Sequence, residues 1–155
     1  MAKGAAAAAN VSSAVGRVKI RAMAQKAAVT PPIGPTLAQA GLKAMDFVKR
    51  FNEETKKYNS GTPLNVVIDI NADKTYRTLI KSPDTTWFLK RAIGVPRFEP
   101  FRNGKTEFNG TISMRQIYEI AKIKAEDPHR AHISLHAICK QVLSIARHHK
   151  LKVIE

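Results

Sequence analysis

A single cysteine, Cys139, excludes an internal disulfide and cannot by itself build a zinc site. Its place on an apolar helix face predicts a buried, inert thiol rather than a nucleophile. No apolar run approaches the length that spans a bilayer, and no stretch pairs a basic face with exposed Trp and Leu, so neither a membrane span nor an interfacial helix is expected. Gly-x-Ser-x-Gly and the phosphate-binding Gly-x-x-x-x-Gly-Lys are both missing, and no carboxylate pair is spaced for acid–base work. His132 and His136 stand at i,i+4, but no acid or cysteine completes a metal set around them. Catalytic residues, metals and cofactors therefore have no candidates.

Acid is the other shortage. None occurs before Asp46, while Lys3, Arg17, Lys19, Arg21, Lys26 and Lys43 are all basic, a bias compatible with organelle import. The whole chain of 155 residues carries 26 Lys plus Arg against 12 Asp plus Glu, a formal net charge of +14. Such a chain self-repels unless a polyanion neutralises it, and nucleic acid is the first candidate. Both halves share the excess: thirteen basic and five acidic residues precede Ser82, thirteen and seven follow from it. A hydrophobic fraction of 44% is enough to fold.

Periodicity divides the chain into an extension over 1–16, an α/β unit over 17–81 and a helical unit over 82–155. The extension, with Ala5 to Ala9 followed by Asn10, Ser12 and Ser13, is low in complexity and reads as flexible. Arg17 to Ala22 alternates basic and apolar, which predicts a strand with a cationic outer face. From Leu42 to Tyr58 the apolar residues Ala44, Phe47, Val48, Phe51 and Tyr58 recur at helical spacing, with Asp46/Arg50 and Glu53/Lys57 as i,i+4 pairs. Leu64 to Ile70, a turn at Asn71 to Lys74, and Thr75 to Ile80 form a hairpin, giving a three-stranded sheet under one helix face.

Between the first strand and that helix, Thr30 to Gly41 holds Pro31, Pro32 and Pro35 with Gly34 and Gly41. Each proline fixes φ and deletes an N–H, so the segment is stiff and cannot join a sheet ladder. Pro35 suits the first helical position and Gly41 the residue past the end, leaving one turn over Thr36 to Ala40. A rigid, donor-poor ledge loses little entropy on binding, so it suits a docking surface. For one isolated Pro-Pro a plain elbow would be the better reading, but three prolines in five residues exceed what a connector needs.

In the second unit Ser82 is placed to cap, and Pro83 to open, a helix carrying Lys90 and Arg91 late and ending at Gly94. Gly94 to Gly110 reads as a long loop in which Arg97, Arg102 and Lys105 interleave with Phe98, Phe101 and Phe108. Guanidinium and aromatic planes suit phosphates and splayed bases, although at least one of these rings is expected to fold back into the core. Ser113 and Gln116 form a capping box that starts a helix with Ile117, Ile120 and Ala121 inward, and Asp127-Pro128 breaks it. The last helix, about Ser134 to His149, turns Leu135, Ile138, Cys139, Val142 and Ala146 inward and sets His136, Lys140, Ser144 and Arg147 along one outer ridge. Leu151 to Ile154 is left as a short extended tail. Charge ridges are usually plain solvated faces, but this one lies on the same unit as the basic, Phe-rich loop.

Thr-Pro-Pro-Ile-Gly-Pro-Thr-Leu-Ala-Gln-Ala-Gly-Leu over 30–42, Phe-Val-Lys-Arg-Phe-Asn-Glu-Glu-Thr over 47–55, Asn-Ala-Asp-Lys-Thr-Tyr over 71–76, Lys-Ser-Pro over 81–83, Phe-Leu-Lys-Arg-Ala-Ile-Gly over 88–94 and Ser-Ile-Ala-Arg over 144–147 are collinear. In these the chain resembles the large-subunit ribosomal protein eleven family, found at the base of the ribosomal stalk; Tyr118 to Asp127 looks most like its mitochondrial members. The resemblance implies an α+β fold, a small α/β domain followed by an all-α RNA-binding domain. It implies that the second domain binds the GTPase-associated segment of large-subunit ribosomal RNA through Ser82, Lys90, Arg91, Ser113, Lys124, Ser144 and Arg147. Arg102, Lys105 and Lys140 join them from the loop and the ridge. Pro31, Pro32, Pro35 and Gln39 match the family's factor and antibiotic cleft. Implied partners are that RNA, stalk protein ten with the acidic stalk proteins, and translational GTPases of the elongation factor G type. A mitochondrial matrix location is expected, with a plastid or bacterial cytoplasm as alternatives. A different class also fits three helices with a basic last one: a homeodomain-like DNA-binding regulator. Against it, the last helix lacks the Asn and multiple Arg of major-groove readers.

Overall fold

The computed structural model describes residues 14–31, 33–98 and 108–154. The chain divides into two compact units between Ile80 and Lys81.

In the first unit, strand β1 (Ala14–Met23) begins three residues before the basic/apolar alternation; the rest of the expected extension, 1–13, lies outside the described residues. It pairs antiparallel with β2 (Pro63–Asn71), Val18 opposite Ile68 and Ile20 opposite Val66, and β3 (Tyr76–Lys81) completes the order β1-β2-β3. Between β2 and β3 the Asn71 N–H donates to the Thr75 carbonyl at 2.9 Å. Helices α1 (Ile33–Gln39) and α2 (Ala44–Glu54) put Ile33, Leu37, Phe47 and Phe51 into the same cluster as Ile20, Ala22, Leu64, Val66, Ile68 and Ile70. Both helices therefore cover one face of the sheet, because alternate strand residues point to opposite faces.

Two features depart from the sequence pattern. The expected pairs Asp46/Arg50 and Glu53/Lys57 do not form: α2 ends at Glu54, and Arg50 Nε instead donates to Glu54 Oε1 at 2.8 Å. Helix α1 starts at Ile33 rather than at Pro35, so Pro35 is its third residue. A proline is harmless there, since N–H groups of the first turn have no intrahelical acceptor. Gly41 past the end adopts φ 72°, and Leu42 N–H donates to the Leu37 carbonyl at 3.0 Å.

The second unit holds α3 (Thr85–Ile93), β4 (Gly110–Ser113), α4 (Met114–Ala125), a 3-10 turn (Pro128–Arg130), α5 (Leu135–His148) and β5 (Leu151–Ile154). Leu89, Ile112, Ile117, Ile120, Ala121, Ile138, Val142, Ala146 and Leu151 form its core. The unit is helical as expected, with one addition: the supposed extended tail is a strand, paired in parallel with β4 so that Ile112 lies opposite Val153. The capping box is present, Gln116 N–H donating to Ser113 Oγ at 3.3 Å and Ser113 N–H to Gln116 Oε1 at 3.0 Å.

Gly110 opens β4 at φ 152°, and a Cβ there would lie 2.6 Å from Ile93 Cγ2. That methyl sits on a branched Cβ with little rotamer freedom. Gly110→Ala is expected to destabilise the second unit by about 1–3 kcal/mol, read from urea unfolding of the full chain.

Candidate nucleic-acid interface

Two elements of the second unit bring cationic side chains to its surface. On α5, Ser134 caps the helix by accepting from Ala137 N–H at 3.3 Å. Ile138, Val142 and Ala146 anchor the inner face, and His136, Lys140, Ser144 and Arg147 are all exposed on the outer one. Cys139 is half-buried against the core. The last turn of α3 adds Lys90 and Arg91, and Gly94 at φ 79° ends the helix, its N–H donating to the Lys90 carbonyl at 2.9 Å.

The α3 and α5 ends meet through Thr86, Phe98, Asn109 and His149. Phe98 is buried and stacks on His149 with ring centroids 4.5 Å apart, while Lys90 Nζ lies 5.7 Å from the Phe98 centroid. Thr86 Oγ1 and His149 Nε2 are 3.4 Å apart. Asn109 is fixed to the same place: its side-chain amide donates to the His149 carbonyl at 2.8 Å and its N–H to the Lys150 carbonyl at 3.0 Å. Both described ends of the Phe-rich segment thus converge on His149 and Lys150. Burial, His148 and Lys90 together lower the His149 pKa and favour its neutral ring. Of the described loop rings, Phe98 folds back into the core and Phe108 is exposed. Arg102, Lys105 and Phe101 lie outside the described residues.

Arg91 is exposed, with its guanidinium 6.0 Å from the Trp87 ring centroid. Ser113 is half-buried and holds its capping bonds. Ser82 and Lys124, expected from the resemblance to touch RNA, are both buried and bonded within the unit. Ser82 does not cap α3; Asp84 takes that position, and its side chain makes no cap bond to the helix N–H groups. Ser82 N–H and Oγ donate to Asp127 Oδ1 and Oδ2 at 2.8 and 2.7 Å, and Lys124 Nζ donates to Ser82 Oγ at 2.8 Å and the Pro83 carbonyl at 3.0 Å. Lys124 and Asp127 pair at 3.2 Å, and Ser82, Lys124 and Asp127 are only 7%, 5% and 5% exposed. These side chains bond one another at the root of the second unit. Burial opposes the Asp127 carboxylate, yet the two Ser82 bonds and Lys124 outweigh it and hold its pKa below the usual range. Burial also lowers the Lys124 pKa, and Asp127 only partly offsets this.

In the first unit, Pro35 and Gln39 share the exposed side of α1 at i,i+4, opposite buried Ile33 and Leu37, and Pro31 is exposed in the preceding turn. Pro32 lies outside the described residues. What holds this segment was not visible in the pattern. Asn52 accepts from Ala27 N–H and donates to the Ala27 carbonyl, both at 3.1 Å, and buried Thr55 accepts from Gln25 N–H at 3.2 Å. The chain entering the prolines is thereby tied to α2.

A family model of the ribosomal protein L11 N-terminal domain matches residues 18–76, and one of the ribosomal protein L11 RNA binding domain matches residues 81–149. The chain is 39% identical over 137 residues to large ribosomal subunit protein uL11m of Caenorhabditis elegans, an alignment that covers 88% of this chain and 68% of that one. The chain belongs to the ribosomal protein L11 family. Similar relatives are uL11m of Drosophila melanogaster, 37% identical over 89% of this chain and 69% of that one, and uL11m of Schizosaccharomyces pombe, 34% identical over 88% and 94%. The exposed α5 ridge, the end of α3 and the His149 junction all lie in, or at the border of, the L11 RNA binding domain.

Proposed function

We propose that this L11-family chain is a non-enzymatic component of the large subunit of the mitochondrial ribosome, as the uL11m names of its relatives suggest. Its second unit binds the GTPase-associated segment of large-subunit ribosomal RNA through Lys90, Arg91, Lys140, Ser144 and Arg147. The first unit presents Pro31, Pro35 and Gln39 to translational GTPases and the stalk proteins. The observation that carries this reading is the α5 ridge: four polar or cationic residues exposed in line on a helix whose other face is buried. Phosphate contacts from such a ridge position RNA without reading bases.

The full chain is expected to bind a transcript of that RNA segment with an affinity that falls linearly on a log–log plot against salt, and duplex DNA is expected to compete poorly. Pro35→Ala should leave this affinity unchanged and lower factor-dependent GTP hydrolysis on ribosomes. Equal competition by duplex DNA would favour the regulator reading instead.

A further inference from the structure

We propose that the sheet face turned away from the helices of the first unit is a second RNA contact, taking the phosphate backbone of folded RNA without base recognition. Ile20, Ala22, Leu64, Val66, Ile68 and Ile70 belong to the core cluster, and Val18, Tyr76 and Ile80 pack against it. Strand alternation then sends Arg17, Lys19, Arg21 and Met23 of β1, Asn65, Val67 and Asp69 of β2, and Arg77 and Leu79 of β3 to the other face. Arg17, Lys19, Arg21 and Arg77 are all exposed. One acid shares the face, Asp69, and it pairs with Arg17 at 2.5 Å. Arg21 Nε reaches Asn65 Oδ1 at 3.4 Å.

Along β1 the three cations stand in a rigid line, successive ones about 7 Å apart, so neighbouring side chains can reach neighbouring phosphates. The chemistry of the face selects among anionic partners. Phe47, Phe51, Tyr58 and Tyr76 all lie in or against the core on the opposite side, so no ring is available to stack a splayed base. Of its apolar residues, Val67 is 7% exposed, Leu79 is half-buried and Met23 stands at the end of β1, so the centre of the face offers no large exposed apolar anchor of the kind around which a protein interface is organised. Charge with no aromatic ring and no central exposed aliphatic anchor fits a phosphate backbone better than single-stranded bases or an acidic protein. This site lies outside the matched RNA binding domain, and it rests on the reading of the chain as a ribosomal RNA binder.

The test uses the full chain and a full-length large-subunit ribosomal RNA transcript. For Lys19→Gln/Arg77→Gln, which leaves the Arg17–Asp69 pair intact, the log–log salt slope is expected to become shallower by about 1.4–1.8, or 0.7–0.9 for each lost phosphate contact. Lys49→Gln/Lys56→Gln removes the same charge from exposed positions on and just after α2 and should leave the slope unchanged. Equal slopes for both variants, or no change in either, would overturn the contact. So would poly-glutamate binding that Lys19→Gln/Arg77→Gln abolishes without altering the RNA slope; that outcome would give the face to an acidic protein. Absence of salt-dependent binding by the unsubstituted chain would sink the proposed function as well, whereas binding with an unaltered slope in the variant removes this contact alone.

Discussion

Asp127→Ala is expected to lower the unfolding free energy of the second unit by about 3–5 kcal/mol. The carboxylate accepts two hydrogen bonds from Ser82 and pairs with Lys124, and its residue is 5% exposed. Removing it strands the Lys124 ammonium at a buried site and leaves the Ser82 N–H without its acceptor. Because Trp87 is the sole tryptophan and lies on α3, its fluorescence reports this unit within the full chain during urea unfolding. Lys124→Met combined with Asp127→Asn should cost less than the sum of the two single changes, since no charge is left buried while an amide oxygen still faces Ser82. A loss under about 1 kcal/mol for Asp127→Ala would mean that the pair is solvated and behaves as a surface pair.

The same carboxylate sets an acid limit. Its folded pKa lies below the usual carboxylate value, so the unfolded chain binds more protons in that window. Its stabilisation is fully present above the unfolded carboxylate pKa of about 3.9, and it is lost as pH falls through the folded value. Asp127→Asn should flatten the decline of stability below that pH.

Ser82 shows why part of this site was hidden in the sequence. Ser-Pro before an amphipathic run has the chemistry of a cap followed by a first helical residue, yet the helix starts at Thr85, and Ser82 bonds to a residue 45 positions away. No local pattern carries that distance, and Asp127 before Pro128 looked like punctuation alone. The β4–β5 pair was hidden for a related reason: each strand is four residues long, and α4 and α5 separate the two in sequence. Where the determinants are local, the sequence was legible. The box at Ser113 and Gln116, the inner face of α5 and the cationic alternation of β1 all follow from spacings of two to four residues, and each is present in the fold. The same holds for the outer ridge of α5, because burying Ile138, Val142 and Ala146 forces Lys140, Ser144 and Arg147 outward.

That ridge carries the second large expected effect. Lys140→Gln/Arg147→Gln in the full chain should weaken binding to the stalk-base RNA transcript by about 100-fold, roughly tenfold or 1.4 kcal/mol per charge-assisted contact. Both side chains are exposed, two turns of helix apart on a face that contributes nothing to the core, so the variant should unfold like the unsubstituted chain. The salt slope should become shallower by about 1.4–1.8, as for the sheet face, but the two pairs are on different units and their effects should add. Arg147→Lys separates charge from geometry: a single-point phosphate contact would tolerate the ammonium, whereas a forked guanidinium contact would not. Restored slope with unrestored affinity in Arg147→Lys would assign Arg147 a bidentate phosphate contact. An affinity unchanged in Lys140→Gln/Arg147→Gln would instead show the ridge to be a solvated face and move the RNA contact elsewhere on the second unit.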